Sequence, residues 1–512
     1  MKPSLFSLLL MGLAVCRLVG QAQNPIIHAD VPDMSIIRVG DSYYMSSTTM
    51  HLSPGLPIMK SQDLVNWQLI GYAYERLVEN DAMNLENGQS AYGRGSWASC
   101  LNYHAGVFYA STFSATSGKT HVYSTKDIEK GPWREQSFAP AYHDHSIFFD
   151  DDGRVYMVYG AGKLHLLELA ADLSGVKPGG LDQVLIDNAS APAGDDIMLG
   201  AEGSQLYKVN GKYYLFNITW PRGGMRTVVI HRADRLTGPW EGRVGLQDMG
   251  VAQGGLVQSP DGRWFAYLFQ DSGGVGRIPY LVPVTWEAGW PVLGTEGKVP
   301  LRLALPASEG LVPGIIASDD FEEKELGLVW QWNHNPVPEN WSLTARKGHL
   351  RLSTGRRDTS FVMARNTLTQ RTFGPSSSGI TKIKVSAMRP GDFAGLALLQ
   401  KNYGLLGVKA EEGQKYLTVV SAATGVPVEM ARIPLRRKII FLKASCDFRE
   451  RRDTGQFYYS LDGKKWTEFG PPLPLPYTLP HFMGYRFGLF NYATLERGGY
   501  VDFDYFRVSG KL

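Results

Sequence analysis

A turn followed by alternating aromatic and aliphatic positions recurs five times in the first three hundred residues. The copies are Val39-Gly40-Asp41-Ser42-Tyr43-Tyr44, Ala105-Gly106-Val107-Phe108-Tyr109, Asp152-Gly153-Arg154-Val155-Tyr156, Asn210-Gly211-Lys212-Tyr213-Tyr214 and Asp261-Gly262-Arg263-Trp264-Phe265. Asn-Gly and Asp-Gly supply the positive φ angles of tight hairpins, and the residues after them suit a pleated, half-buried strand. Three repeats carry a second punctuation, at Ser61-Gln62-Asp63-Leu64 with Trp67, Ser124-Thr125-Lys126-Asp127-Ile128 with Trp133, and Arg232-Ala233-Asp234-Arg235-Leu236 with Trp240. These read as turns leading to an outer strand. Units of about 50 residues with several short strands are what propeller blades require, and five of them close a ring around a channel. The pattern predicts an all-β fold with a five-bladed β-propeller over 24–305; an open β-sandwich is the alternative that the repeat alone leaves.

Between Val299 and Ser318 the pattern loosens into Pro, Gly and small residues, and Asp319-Asp320-Phe321 opens a second region over 318–512. Strand-like runs at Gly348–Leu352, Gly395–Leu399, Lys438–Leu442 and Val501–Phe506 predict a β-sandwich there.

The repeat has a register. Counting back from each turn glycine, the residues ahead of the first strand are Asp33-Met34-Ser35, Trp97-Ala98-Ser99, Asp144-His145-Ser146, Glu202-Gly203-Ser204 and Gln253-Gly254-Gly255. The leading residue stands nine positions before the glycine in four repeats and seven before it in the first, with Ser two positions later in four of five. The innermost strand of each blade lines the channel, so Asp33, Trp97, Asp144, Glu202 and Gln253 are expected around one mouth. Singly, each acid could simply accept backbone N–H groups at a blade start. Three like charges converging on one mouth repel, and that is costly without a chemical task. Convergent carboxylates are what glycosidic cleavage needs: one protonates the leaving oxygen, another activates water or attacks the anomeric carbon, and a third negative charge keeps the acid protonated.

Composition narrows the partners. The 52 basic and 49 acidic residues nearly cancel, without a Lys/Arg block of the kind that tracks a phosphate backbone, which argues against nucleic acid. Met1-Lys2-Pro3, an apolar run from Leu5 to Val15, and Gly20-Gln21-Ala22 read as an export signal over 1–22, cut after Ala22. Cys16 could instead be a lipoprotein cysteine, but Val15 stands where a small residue is usual. No later apolar run is long enough to span a bilayer, so no stable membrane insertion is expected. Cys100 and Cys446 alone would remain in the exported chain, far apart, and indicate no disulfide framework.

The quoted residues resemble glycoside hydrolase family 43, the β-xylosidases, α-L-arabinofuranosidases and arabinanases built on five-bladed propellers. Asn24-Pro25-Ile26 leading to Val31-Pro32-Asp33-Met34-Ser35 looks like the family's opening segment, Asp144-His145-Ser146-Ile147-Phe148 like its middle one, and Ala201-Glu202-Gly203-Ser204 like its third. The resemblance implies Asp33 as general base, Glu202 as general acid and Asp144 as the residue that tunes the acid's proton affinity. Phe269-Gln270-Asp271 through Gly276-Arg277-Ile278-Pro279 is similar to the last blade of exo-acting members, which implies that Arg277 binds the terminal sugar. Trp97 is either a platform for a sugar face or an inward core tryptophan. The implied enzyme is an exported glycosidase, periplasmic or extracellular. It would remove terminal α-L-arabinofuranosyl or β-xylosyl residues from plant cell-wall polysaccharides or oligosaccharides with inversion. A non-catalytic carbohydrate-binding propeller is the alternative. The second domain resembles the concanavalin A-like, lectin-type jelly roll that commonly follows this propeller, one of whose loops can help wall the pocket. Two positions depart from the pattern: Met34 follows the base where proline is frequent, and Ser272 stands where close relatives often have a histidine linked to a channel metal. No cofactor is required; a structural calcium ion is the one metal left open, with His145 and Gln253 as side chains for it or for water.

Overall fold

The computed structural model describes residues 21–310, 314–479 and 481–512. Residues 1–20, most of the expected export signal, lie outside that range.

Five four-stranded antiparallel sheets follow one another along the chain, four of them made of consecutive strands and the first interrupted by Leu52–Ser53. Their first strands are Ser35–Val39, Cys100–His104, Ser146–Phe149, Ile197–Val209 and Ala252–Gln258. Each touches the first strand of the next blade, and the fifth returns to the first, so the ring closes around these strands. Among the described residues no strand is exchanged between first and last blades. Instead Gln21–Gln23 pairs with Arg302–Pro306, and the expected cleavage position after Ala22 falls inside that short strand. The Asn24 side chain adds a clasp, donating to the carbonyls of Leu281 and Pro300, each at 2.8 Å, and accepting from the Leu281 N–H at 2.9 Å. Trp67 opens the outer strand Trp67–Tyr74, and Trp133 and Trp240 stand one residue before the outer strands Arg134–Phe138 and Glu241–Leu246, as the second punctuation predicts.

The C-terminal region forms two packed antiparallel sheets, a concanavalin A-like sandwich. One sheet runs from Val428–Pro434 at its edge through Asp392–Leu399 and Arg486–Ala493 to Gln331–Asn333. Its last member comes from the propeller: Leu52–Ser53, in the first blade, pairs with Trp332 and Asn333. The two domains thus share a sheet. One apolar cluster also continues from the fourth and fifth blades, through Phe216, Ile230 and Val275, into Phe321, Trp330 and the sandwich core. Cys100 and Cys446 are buried and free, and among the described residues no helix is long and apolar enough to cross a membrane.

Beside the shared strand lies a buried aromatic cluster. His51 and Tyr92 come from the propeller, His334 and His481 from the sandwich; Tyr92 stacks on His481 at 4.8 Å between centroids, and His51 lies 4.6 Å from His334. Burial holds the imidazoles neutral, pushing His334 down to about 3 and His481 down to about 4, and lowering His51 well below its ordinary value. Unfolded, the three take up protons near pH 6.5; folded, they resist until the pH is far lower. Their stabilising effect is therefore complete above pH ~6.5 and is lost as the pH falls toward 4. Each contributes a slope of about 1.4 kcal/mol per pH unit in that window. Denaturant melts between pH 7 and 4 should show His481→Gln reducing this slope by about one proton; an unchanged slope would remove the cluster from the acid response.

Candidate active site

The five positions picked out by the repeat stand where each innermost strand begins or enters the ring. The serine that follows them has a structural use. Ser35 Oγ accepts the Leu101 N–H at 3.1 Å, Ser146 Oγ accepts the Leu206 N–H at 3.2 Å, and Ser99 Oγ donates to the Asp33 carbonyl at 3.1 Å. Each bond ties one blade to another at the channel wall, which is why Ser recurs in register. The leading residues are held in backbone conformations that L-residues rarely adopt: φ is +51° at Asp33, +47° at Asp144 and +56° at Gln253. Such positions cost of order 1–3 kcal/mol each and persist where the surroundings over-determine them. In the fourth blade the glycine after Glu202 takes this role instead. Gly203 has φ +66°, and a β-carbon there would lie 2.7 Å from Gln253 Cγ.

The structure brings Asp33, Asp144 and Glu202 to one end of the channel, with different partners. Asp33 is buried, and Arg277 Nη1 donates to its Oδ1 at 2.7 Å. Burial raises the Asp33 carboxyl above the usual carboxylate range; Arg277 opposes this, while the negative charges of Asp271 and Glu202 add to it. Arg277 is itself buried, not a solvated surface residue. Its Nε donates to Asp271 Oδ1 at 3.1 Å and its backbone N–H to Asp30 Oδ1 at 2.8 Å. Arg226 pairs with the other oxygen of Asp271. Any hold of Arg277 on a sugar is therefore shared with its grip on Asp33.

Glu202 has a different neighbour. His143 Nε2 lies 2.9 Å from Glu202 Oε2 and 3.9 Å from Asp144 Oδ2. Burial alone would lower the His143 imidazole, but Asp144, Glu202 and Asp33 outweigh it and raise its proton affinity. The Asp144 carboxyl is raised by burial first, with His143 opposing and the charges of Glu202 and Asp33 adding. The Glu202 charge thus bears on both aspartates.

The walls are aromatic. Trp97, half-buried, lies 5.5 Å from Phe113 and 5.3 Å from Phe482, centroid to centroid. Phe482 belongs to the sandwich and also faces the Arg277 guanidinium at 5.7 Å. Of the side chains considered for a channel ion, His145 is fully engaged, with Nδ1 on the Tyr142 carbonyl at 3.1 Å and Nε2 on Ser111 Oγ at 2.8 Å. Gln253 packs against Gly203. One ligand-type atom each of His143, Asp144 and Glu202 lies within 4.8 Å of the others. Within that trio His143 Nε2 and Glu202 Oε2 are at hydrogen-bond distance.

Sequence reasoning did not find His143, Phe482, Arg226 or Asp30. His143 directly precedes a register position, so its place was available from the sequence; Phe482 lies in another domain and carries no repeat signal.

The sequence model "Glycosyl hydrolases family 43" matches residues 22–291, and "Beta xylosidase C-terminal Concanavalin A-like domain" matches 318–509. A β-xylosidase of Formosa agariphila is 30% identical over 94% of this chain and 89% of its own length. A non-reducing end α-L-arabinofuranosidase of Bacteroides ovatus is 30% identical over 90% of this chain and 87% of its own. A solved structure described as a bifunctional GH43-CE protein of Bacteroides eggerthii is 64% identical with a TM-score of 0.95. It matches 96% of this chain, which spans 64% of that longer one. The repeat register, the gathered acids and these matches agree: the chain belongs to glycoside hydrolase family 43 and is a glycosidase of the β-xylosidase and α-L-arabinofuranosidase kind.

Proposed function

We propose that the enzyme removes terminal α-L-arabinofuranosyl or β-xylosyl residues from plant cell-wall oligosaccharides or polysaccharides by inversion. Asp33 deprotonates the attacking water, Glu202 protonates the departing oxygen, and Asp144 supplies the third charge. The observation that carries this reading is the pairing of the acids. Asp33 is held by a permanent cation, Arg277, which favours its ionised, basic form. Glu202 is held by a titratable imidazole and is more exposed, side-chain accessibility being 20% against 7% for Asp33. Two carboxylates with environments this different are suited to opposite proton roles. Trp97 and Phe482 narrow the mouth and offer apolar faces to a single sugar ring, which fits removal of a terminal unit. An export signal at the N-terminus fits action on polymers outside the cell.

Four measurements test this. Hydrolysis of phenyl α-L-arabinofuranoside and phenyl β-xyloside, whose leaving group needs protonation, should fall by about 10²–10⁴ in both Glu202→Gln and Asp33→Asn; NMR should show the product forming first with inverted anomeric configuration. Unchanged rates in either variant would end the assignment of that residue. Arg277→Gln should move the acid limb of kcat/KM to higher pH. Burial already raises Asp33, and without the guanidinium it protonates earlier as the pH falls. Phe482→Ala should raise KM by more than it lowers kcat, since the ring shapes the pocket without reaching the reacting atoms; a pure loss of kcat would contradict that placement.

A further inference from the structure

We propose that His143 is the positioning residue of the acid: as an imidazolium it donates to Glu202 Oε2, fixes Oε1 as the oxygen that carries the catalytic proton, and stabilises the carboxylate left after delivery. The proposal rests on Glu202 being the general acid. A carboxyl group has two equivalent oxygens, and only one can face the leaving group. Nε2 at 2.9 Å occupies Oε2, so the free oxygen is the one available to the substrate. The ring is held for this task. The His143 carbonyl accepts the Gly160 N–H at 3.0 Å, and Phe113 and Trp97 meet the imidazole edge to face at 5.2 and 6.1 Å.

The largest charge effects on the ring favour its protonated form. Asp144 stands on the same segment, Glu202 comes from the fourth blade and Asp33 from the first, all three negative when ionised. The second blade contributes Phe113 and Trp97, which carry no charge. His145 is kept neutral by burial, which lowers it to about 4. In turnover the Oε1 proton passes to the glycosidic oxygen as its bond to the anomeric carbon breaks, and water delivers its own proton to Asp33. The His143 N–H stays in place and faces a full negative charge on Glu202. Asp33 then releases its proton to solvent and Glu202 regains one, so the cycle balances. Asp144 and His143 act in opposite directions on the step: negative charge beside the acid opposes the proton's departure, and the imidazolium eases it.

The test compares His143→Phe and His143→Gln with the wild type on 2,4-dinitrophenyl and phenyl pentosides of the sugar that the enzyme hydrolyses. The dinitrophenolate leaves without protonation; phenolate needs the acid. In His143→Phe, kcat on the phenyl substrate should fall at least tenfold, within the 10²–10⁴ that acid catalysis contributes. The dinitrophenyl rate should change less than about threefold, since that step draws little on the general acid. The alkaline limb of kcat/KM should move up by about one pH unit, because the departing carboxylate has lost its counter-cation. His143→Gln offers an amide N–H to Oε2 without charge, so it should recover most of the phenyl rate while keeping the shifted limb. Equal losses on both substrates, or an alkaline limb that stays put in both variants, would overturn the proposal. Glu202→Gln serves as the control for the underlying assignment. If it spares the dinitrophenyl substrate while losing the phenyl one, Glu202 is the acid and the His143 result stands alone; equal losses there would overturn both.

Discussion

An ionised carboxylate removed from water costs several kcal/mol unless a cation or hydrogen-bond donors go with it. The end of this propeller channel holds Asp33, Asp144 and Glu202, with Asp30 and Asp271 close behind. The Arg277–Asp33 pair, with side-chain accessibilities of 8% and 7%, makes that gathering tolerable. The same guanidinium reaches Asp271, its backbone N–H reaches Asp30, and its plane lies 4.9 Å from Phe269. Removing the guanidinium would leave Asp33 without its cation and Asp271 with Arg226 alone. Most of the active-site geometry follows from where that one side chain can sit.

The ring supplies the positions. Asp33, Asp144 and Gln253 all adopt left-handed backbone where each inner strand enters the channel. Serine hydroxyls two residues on stitch one inner strand to the next. Strained backbone and inter-blade bonds come as a pair: the bonds over-determine the conformations that the chemistry needs. The acids therefore stand on backbone that is tied from blade to blade.

The sequence made the blades legible because hairpin chemistry repeats, and the acids legible because they share a register with that repeat. Asp33, Asp144 and Glu202 could be aligned by counting from Gly40, Gly153 and Gly211. Arg277 stands outside the register and was found by resemblance alone. His143 was hidden by its neighbour: only coordinates show that its ring turns toward Glu202 while His145, two residues on, turns to Ser111. The domain relationship was hidden more deeply. Loosened sequence around 299–318 marked a domain boundary and nothing more, yet Leu52–Ser53, two residues in a loop of the first blade, complete a sheet of the sandwich. A two-residue strand has no periodicity to read.

That shared sheet changes what the sandwich is for. Phe482 reaches the pocket from a segment whose neighbours are fixed on both sides: His481 stacks on Tyr92 of the propeller, and the Gly484 N–H donates to Asp30 Oδ2 at 3.0 Å. Asp30 also receives the backbone N–H of Arg277, and its carbonyl accepts Arg371 Nε at 2.8 Å. One buried aspartate thus joins the N-terminal segment, the fifth blade and the sandwich at the point where the pocket wall meets the base. Phe482 itself has φ +50°, a conformation that a free loop would relax. Its position is a property of the docked pair of domains, so the pocket belongs to neither domain by itself. A propeller without its sandwich would lose the ring that faces both Trp97 and the Arg277 guanidinium.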